Sequence, residues 1–130
     1  CQKHAFLCAT YGVELSMFFQ KKLGAGLVGG EGFIMQKVTG PGLVFLEVDG
    51  YCQDYDLAPG ERLVCDTGVL AVMDETCSMD VQMVKGVKNM IFGGEGLFDT
   101  VVTGPGKVHL QTMTIGRLAR QIIPYIPNKK

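Results

Sequence analysis

The chain lacks tryptophan, has only two histidines and carries little charge of either sign, and the low charge argues against one class of partner. Charged residues make up 19% of the 130 positions, with twelve Lys and Arg against thirteen Asp and Glu. A nucleic-acid-binding domain would show a basic stripe and a high isoelectric point, so we expect no nucleic-acid partner. No apolar run approaches the roughly 18–20 residues of a transmembrane helix, so we expect no membrane span.

Motifs for metal binding and catalysis are also missing. The cysteines are five in number and show no CxxC spacing, which predicts reduced, mostly buried thiols of a cytoplasmic protein. They are Cys1, Cys8, Cys52, Cys65 and Cys77. The two histidines, His4 and His109, are isolated, and a group of carboxylates flanks turns: Asp54, Asp56, Glu61 and Asp66. We therefore predict no catalytic residue, no metal ligand and no cofactor.

Glycine, in contrast, is abundant, with 18 of 130 residues, about twice the usual share. This content predicts a turn-rich chain, and the length fits a single β domain over residues 1–130. The chain begins with Cys1 inside a strand-like run. We therefore expect it to be the C-terminal part of a longer protein.

Two glycine-rich motifs each occur twice in the same relative order. GGEG at 29–32 recurs at 93–96, and TGPG at 39–42 recurs at 103–106. The common offset predicts two copies of a repeat, at 1–64 with its start missing and at 65–112. A phosphate-binding role would need a helix after each GGEG motif, but strand-like runs follow, so we favour tight turns with positive φ. The residues that we assign to structural turns are Gly29, Gly30, Glu31 and Gly32, Gly40, Pro41 and Gly42, Gly93, Gly94, Glu95 and Gly96, and Gly104, Pro105 and Gly106.

Short strand-like runs recur every 8–12 residues, which is typical of a β-sandwich or a β-barrel. They lie near 3–9, 13–20, 33–38, 43–48, 51–57, 62–66, 69–74, 77–84, 97–102 and 107–112. Apolar residues alternate along the second run and again at the equivalent positions of the second copy, which predicts two equivalent inward faces. These faces are Val13, Leu15, Met17 and Phe19, and Cys77, Met79, Val81 and Met83.

Several turns have a defined chemistry. Proline is second and glycine third at 40–43, at 104–107 and at 58–61, which predicts type II turns. Asp49-Gly50 separates two strand-like runs and predicts a two-residue hairpin. Near the C-terminus, apolar residues follow a helical period from Ile115 to Ile123. We predict a helix at 114–124, capped by Thr114 and ended by Pro124, before a tail at 125–130.

The motif string resembles one protein family over nearly the whole chain. It runs through LGAGL at 23–27, GGEGF at 29–33, TGPG at 39–42, YDLAPGE at 55–61 and FGGEGL at 92–97. The family is that of the altered-inheritance-of-mitochondria proteins, a domain of unknown function. The resemblance implies homo-oligomers and a duplicated β-sandwich like the tryptophan RNA-binding attenuation protein, within the double-stranded β-helix class. It also implies a mitochondrial location for a eukaryotic member, and it supplies no catalytic residue.

We predict a non-enzymatic, oligomeric structural or scaffolding protein. The alternative is a small-ligand binding module with a site between sheets or subunits, and the sequence identifies no ligand. The possible interface is Leu43 and Phe45, because their counterparts in the second copy are the polar Lys107 and His109. Two adjacent apolar side chains on an outer face suggest a covered patch. The cover could be the C-terminal helix, the missing N-terminal segment or another subunit, and we favour the subunit.

Overall fold

Ten strands and one short α-helix make up the fold in the computed structural model, which describes residues 1–21, 32–84 and 98–127. The predicted all-β class with one C-terminal helix is confirmed. In the part described, no helix has the length and hydropathy of a membrane span. The elements are β1 Phe6–Ala9, β2 Glu14–Lys21, β3 Phe33–Thr39, β4 Val44–Leu46, β5 Cys52–Leu57, β6 Arg62–Asp66, β7 Leu70–Met73, β8 Ser78–Met83, β9 Phe98–Thr103, β10 Gly106–Gln111 and α1 Ile115–Ile122.

The strands form four small antiparallel sheets: β1-β4, β2-β3, β5-β10-β7 and β6-β9-β8. We call β1–β4 the first half and β5–β10 the second half. The pairing of β1 with β4 returns in β7 and β10, where Leu70 lies opposite Leu110 as Phe6 lies opposite Leu46. The pairing of β2 with β3 returns in β8 and β9 at the same offset.

The second half is a sandwich of two three-stranded sheets. The chain crosses from one sheet to the other at every connection except the one between β8 and β9. Side chains of both sheets meet in the space between them, and the two-residue period of a strand places Val108 and Leu110 of β10 on the same inner face. The buried core contains Leu57, Leu70, Val81, Val102, Val108 and Leu110, joined by Phe33 and Met35 from the first half.

The inner face of the first half is far less covered than its counterpart. Met17 is 66% exposed, whereas Val81, at the equivalent position, is 2% exposed. The counterparts of four buried residues of the second half are only half-buried: Phe6, Val38, Val44 and Leu46. The physical reason is that β5 and β6 cover the second half, while the described residues of the first half form only two-stranded sheets.

The predicted inward orientation is therefore wrong at several positions. Leu15 and Met17 of β2 are exposed for the reason just given, and Met83 is exposed at the end of β8. Cys77 and Val81 are buried as predicted. The strand assignment and its phase agree with the structure, because both segments are strands paired in the same register up to Met17 and Val81.

The repeated Gly-Pro-Gly corners differ from the predicted turns. The Gly40-Pro41 and Gly104-Pro105 bonds are cis, and φ is +151° at Gly42 and +143° at Gly106. A type II turn needs about +80° at its glycine, so the prediction is wrong at 40–43 and 104–107. It is confirmed at 58–61, where φ of Gly60 is +78° and the Glu61 N–H donates to the Ala58 carbonyl at 3.0 Å.

The Asp49-Gly50 dipeptide does not close a hairpin, so this prediction is also wrong. Strand β4 pairs with β1, and β5 pairs with β10. Gly50 has the expected positive φ of +80°, but the chain passes here from the first half into the second. Backbone groups after β10 bind Asp49, because Met113 N–H donates to its carbonyl at 3.1 Å and Ile115 N–H donates to Oδ2 at 2.8 Å. Local turn chemistry sets φ but does not choose the strand partner.

The C-terminal helix has the predicted cap, but the helical path continues past the predicted end at Pro124 as a 3-10 turn, Ile123–Tyr125. Thr114 Oγ1 accepts a hydrogen bond from the Arg117 N–H at 3.3 Å, and the α-helix ends at Ile122, before Pro124. None of its residues is buried. Its apolar side chains are exposed, so the helix does not cover the first half. They are Ile115, Leu118 and Ile122.

Most of the two GGEG motifs lies outside the described residues. Only Gly32 is described, and its φ of +81° agrees with the positive φ expected there. The predictions for Gly29, Gly30, Glu31, Gly93, Gly94, Glu95 and Gly96 concern residues outside the described ranges.

Candidate functional site

The outer face of the β1-β4 sheet presents adjacent apolar side chains. Leu43 is 64% exposed and Phe45 is 53% exposed. Cys8, directly opposite Phe45 in the sheet, is exposed as well. The corresponding face of the second half carries Lys107 and His109. An exposed patch of adjacent apolar side chains marks a place where another surface binds.

A cavity of about 430 Å³ lies between the first half and the β7–β8 corner of the second. Its walls are mainly apolar and include Met35, Val38, Val44 and Leu46 from the first half. At its edge Lys37 Nζ lies 2.9 Å from Glu75 Oε1, and this ion pair joins the two halves. The volume falls in the range of small-ligand pockets, about 300–1,000 Å³.

Three potential ligand atoms converge on the outer face of the β5-β10-β7 sheet. His109 lies opposite Asp54 in the register of β10 with β5, and Cys52 points to the same face because it is two residues from Asp54. His109 Nδ1 is 2.7 Å from Asp54 Oδ1, and the Cys52 thiol donates to the same oxygen at 3.6 Å. All three atoms lie within 4.8 Å of one another.

The electrostatics of this cluster oppose nucleophilic chemistry. The hydrogen bond from His109 lowers the pKa of Asp54. Desolvation, together with the Asp54 charge and hydrogen bond, raises the pKa of the Cys52 thiol. A reactive cysteine needs a lowered pKa and a base that accepts its proton. Here Asp54 lies between the thiol and the imidazole, so Cys52 stays protonated near neutral pH.

The same three residues could hold a metal ion. A nitrogen, a carboxylate oxygen and a sulfur are ligands that zinc accepts, and a fourth tetrahedral position would remain for water. Binding would replace the hydrogen bond between Asp54 and His109, because both atoms of that bond would become ligands. Sequence reasoning missed this cluster, since Asp54 and His109 are distant in the chain and the pairing of β5 with β10 was not predicted. The available signal was the alternation of Cys52 and Asp54 along one strand.

The remaining predicted residues have structural contacts. Glu61 Oε2 accepts from the Ala58 N–H at 2.8 Å, and Asp66 accepts from the Gly68 N–H at 3.2 Å and lies 3.4 Å from Arg117. All five cysteines are free, but only Cys77 is buried, so the prediction of mostly buried thiols is wrong. Burial, with the charges of Asp66 and Asp99, raises the pKa of the Cys65 thiol to about 12.

Comparison with known families gives one match. A family model described as mitochondrial biogenesis AIM24 covers residues 1–113, that is, all ten strands but not the helix. A comparison with curated proteins gives no significant match.

Proposed function

This chain belongs to the mitochondrial biogenesis AIM24 family. We propose that it acts as a non-enzymatic, homo-oligomeric scaffold. The subunits associate through the outer face of the β1-β4 sheet. A eukaryotic member would act in the mitochondrion, and a prokaryotic one in the cytoplasm. The duplicated architecture resembling the attenuation protein belongs to this proposal, and the common register of the two halves supports it.

The observation that carries the proposal is the difference between the two halves at one pair of positions. Leu43 and Phe45 are large, apolar and mostly exposed. Lys107 and His109 occupy the equivalent positions in the second half, where the surface is polar. A repeated unit keeps its core pattern in each copy, so an apolar change on one outer face points to a contact that only that copy makes.

The face also has the geometry of a protein contact. It lies on a two-stranded sheet whose β1 adds the exposed Cys8 directly opposite Phe45. Phe45 pairs with Cys8 in this sheet, and the register shifts just beyond this pair, between Cys8 and Phe6. Homo-oligomers with closed symmetry bury such self-complementary patches, and a scaffold needs no polar pocket in them.

Charge introduced into the face tests the proposal. The double variant Leu43→Lys/Phe45→Lys should sediment as a smaller species than the unmodified protein while its circular dichroism is unchanged. The matched control is Met83→Lys, because Met83 is also exposed and apolar but lies on β8 of the second half. It should sediment like the unmodified protein. A monomeric unmodified protein, or a double variant of unchanged size, contradicts the proposal.

A further inference from the structure

The group of Cys52, Asp54 and His109 has no part in the proposed scaffold, yet it is the one group of three metal-ligating side chains among the described residues. Its members come from two neighbouring strands. The two-residue period of β5 puts Cys52 and Asp54 on one face, and the register with β10 puts His109 opposite Asp54. The backbone pairing of β5 with β10 therefore brings the three side chains together.

The distances between the ligand atoms are close to those of a tetrahedral zinc site. Bonds of about 2.0–2.3 Å place neighbouring ligand atoms roughly 3.3–3.6 Å apart. Cys52 Sγ lies 3.6 Å from Asp54 Oδ1, which fits this separation. His109 Nδ1 lies 2.7 Å from the same oxygen, so these two atoms must move apart by about 0.6 Å. The Asp54 side chain is 69% exposed, and a small rotation towards solvent provides this movement.

The chemistry of the three ligands favours zinc over magnesium or calcium. Thiolate and imidazole ligands suit zinc, whereas magnesium and calcium prefer sites built from oxygen atoms alone. His109 binds as the neutral ring through Nδ1, with its proton on Nε2. The Cys52 thiol loses its proton to solvent as Sγ binds, because a coordinating thiol is deprotonated. The thiolate and the Asp54 carboxylate then balance the charge of Zn²⁺.

The surroundings of the cluster are compatible with a bound cation. The positive charge near it is that of Lys107, two residues from His109 on the same face of β10. Lys107 Nζ lies 4.0 Å from the Asp56 carboxylate, whose charge opposes its own. Both side chains are mostly exposed, so water screens their effect on an ion held between β5 and β10. The cluster itself is open to solvent, which gives an ion a path of entry.

We propose that Cys52, Asp54 and His109 bind one zinc ion per chain, and that a water molecule takes the fourth tetrahedral position. The expectation of no metal ligand rested on spacing along the chain, where Asp54 and His109 are 55 residues apart. The ion joins β5 to β10 in addition to their backbone hydrogen bonds. Because this pairing exists only in the folded chain, zinc stabilises the fold.

Calorimetric titration of the chelator-treated full chain with Zn²⁺ at neutral pH tests the site. We expect one ion per chain, a higher melting temperature with zinc, and no competition by excess Mg²⁺. Cys52→Ser, Asp54→Asn and His109→Gln should each weaken zinc binding at least about tenfold, since losing a group that merely orients a ligand costs this much. The matched control is Cys8→Ser, because Cys8 is an exposed cysteine on β1, and its affinity should be unchanged.

Co²⁺, which accepts the same tetrahedral geometry, identifies the sulfur ligand. Its complex should show thiolate-to-cobalt charge-transfer absorption, which is retained in Cys8→Ser and lost in Cys52→Ser. The proposal is overturned by a chain that binds no zinc, by one ion shared between two chains, by competition from Mg²⁺, or by unchanged affinity in Cys52→Ser and His109→Gln. The double variant Leu43→Lys/Phe45→Lys should bind zinc like the unmodified protein, so the result is independent of the proposed oligomer interface.

Discussion

At the scale of single residues, Gly42 and Gly106 occupy equivalent corners where a side chain has no room. A Cβ at Gly42 would lie 2.5 Å from Thr10 Oγ1, and one at Gly106 would lie 2.7 Å from Thr76 Oγ1 and 2.8 Å from Cys77 Sγ. Both residues also have positive φ, which L side chains rarely adopt. Their presence in both halves is explained by geometry alone, without a ligand.

We predict that Gly106→Ala lowers the free energy of unfolding by about 2–4 kcal/mol, the sum of backbone strain and overpacking. Gly60→Ala is the control, because Gly60 has φ of +78° but no atom within 4 Å of the added Cβ. Its free energy of unfolding should fall only by the backbone strain, about 1 kcal/mol. Urea unfolding measures both values. Equal midpoints for the two variants would show that crowding at the corner has no energetic effect.

A second prediction concerns Asp54, whose pKa is lowered mainly by its hydrogen bond with His109. The pKa of Asp54 is lower in the folded protein than in the unfolded chain. The ionised carboxylate therefore contributes its full stabilisation at pH values above the unfolded pKa. This stabilisation is lost as pH falls through the folded pKa, that is, in a window below the ordinary value of 3.8. NMR titration of the Asp54 carboxyl should give a midpoint below that value, and His109→Phe should raise it. A midpoint that does not change in His109→Phe would assign the shift to another group.

At the scale of elements, the helix α1 is held by polar contacts at its start, to Thr114, Asp49 and Asp66, and not by burial. None of its residues is buried, and Thr114 Oγ1 accepts the Arg117 N–H at its start. Replacing a threonine cap by alanine typically costs about 1 kcal/mol. We predict that Thr114→Ala speeds amide exchange of Leu118 about fivefold, while Thr114→Ser keeps the protection and β9 is unaffected. Equal exchange in the two variants would mean that the hydroxyl does not stabilise the helix.

The strands were predictable from sequence, but their partners were only partly so. Alternating apolar residues and Gly-Pro corners located all ten strands, because period and turn chemistry are local properties. The pairing of β5 with β10 brings together residues distant in the chain, and no local signal specifies it. The Asp49-Gly50 turn was misassigned for this reason, and the cluster of Cys52, Asp54 and His109 was missed for the same one.

At the scale of the whole molecule, a buried polar network joins the two halves. Gln111 Oε1 accepts from the Asp49 N–H at 2.9 Å, and its Nε2 donates to the Gly68 carbonyl at 2.9 Å and to Gln2 Oε1 at 3.1 Å. Gln2 and Gln111 are both buried, and the Gln2 N–H donates to the Ala71 carbonyl at 2.7 Å. Phe33 and Met35 of the first half also belong to the core of the second. The halves therefore share both an apolar and a polar contact, which favours unfolding as one unit.

The last prediction tests whether the two halves unfold as one unit. Gln111→Leu keeps the volume but leaves Asp49, Gly68 and Gln2 without this partner, at a cost of about 1–3 kcal/mol for each buried group left unpaired. The urea midpoint should fall, and the transition should stay single, with amide exchange accelerated equally in the β2-β3 sheet and in β9. Gln53→Leu is the matched control, because Gln53 is exposed on β5 and its side chain donates to the Asp54 carbonyl at 3.2 Å. Its midpoint should stay close to that of the unmodified protein. Two separate transitions in Gln111→Leu, with the first half melting before the second, would show that the network alone couples the halves and that the shared core does not.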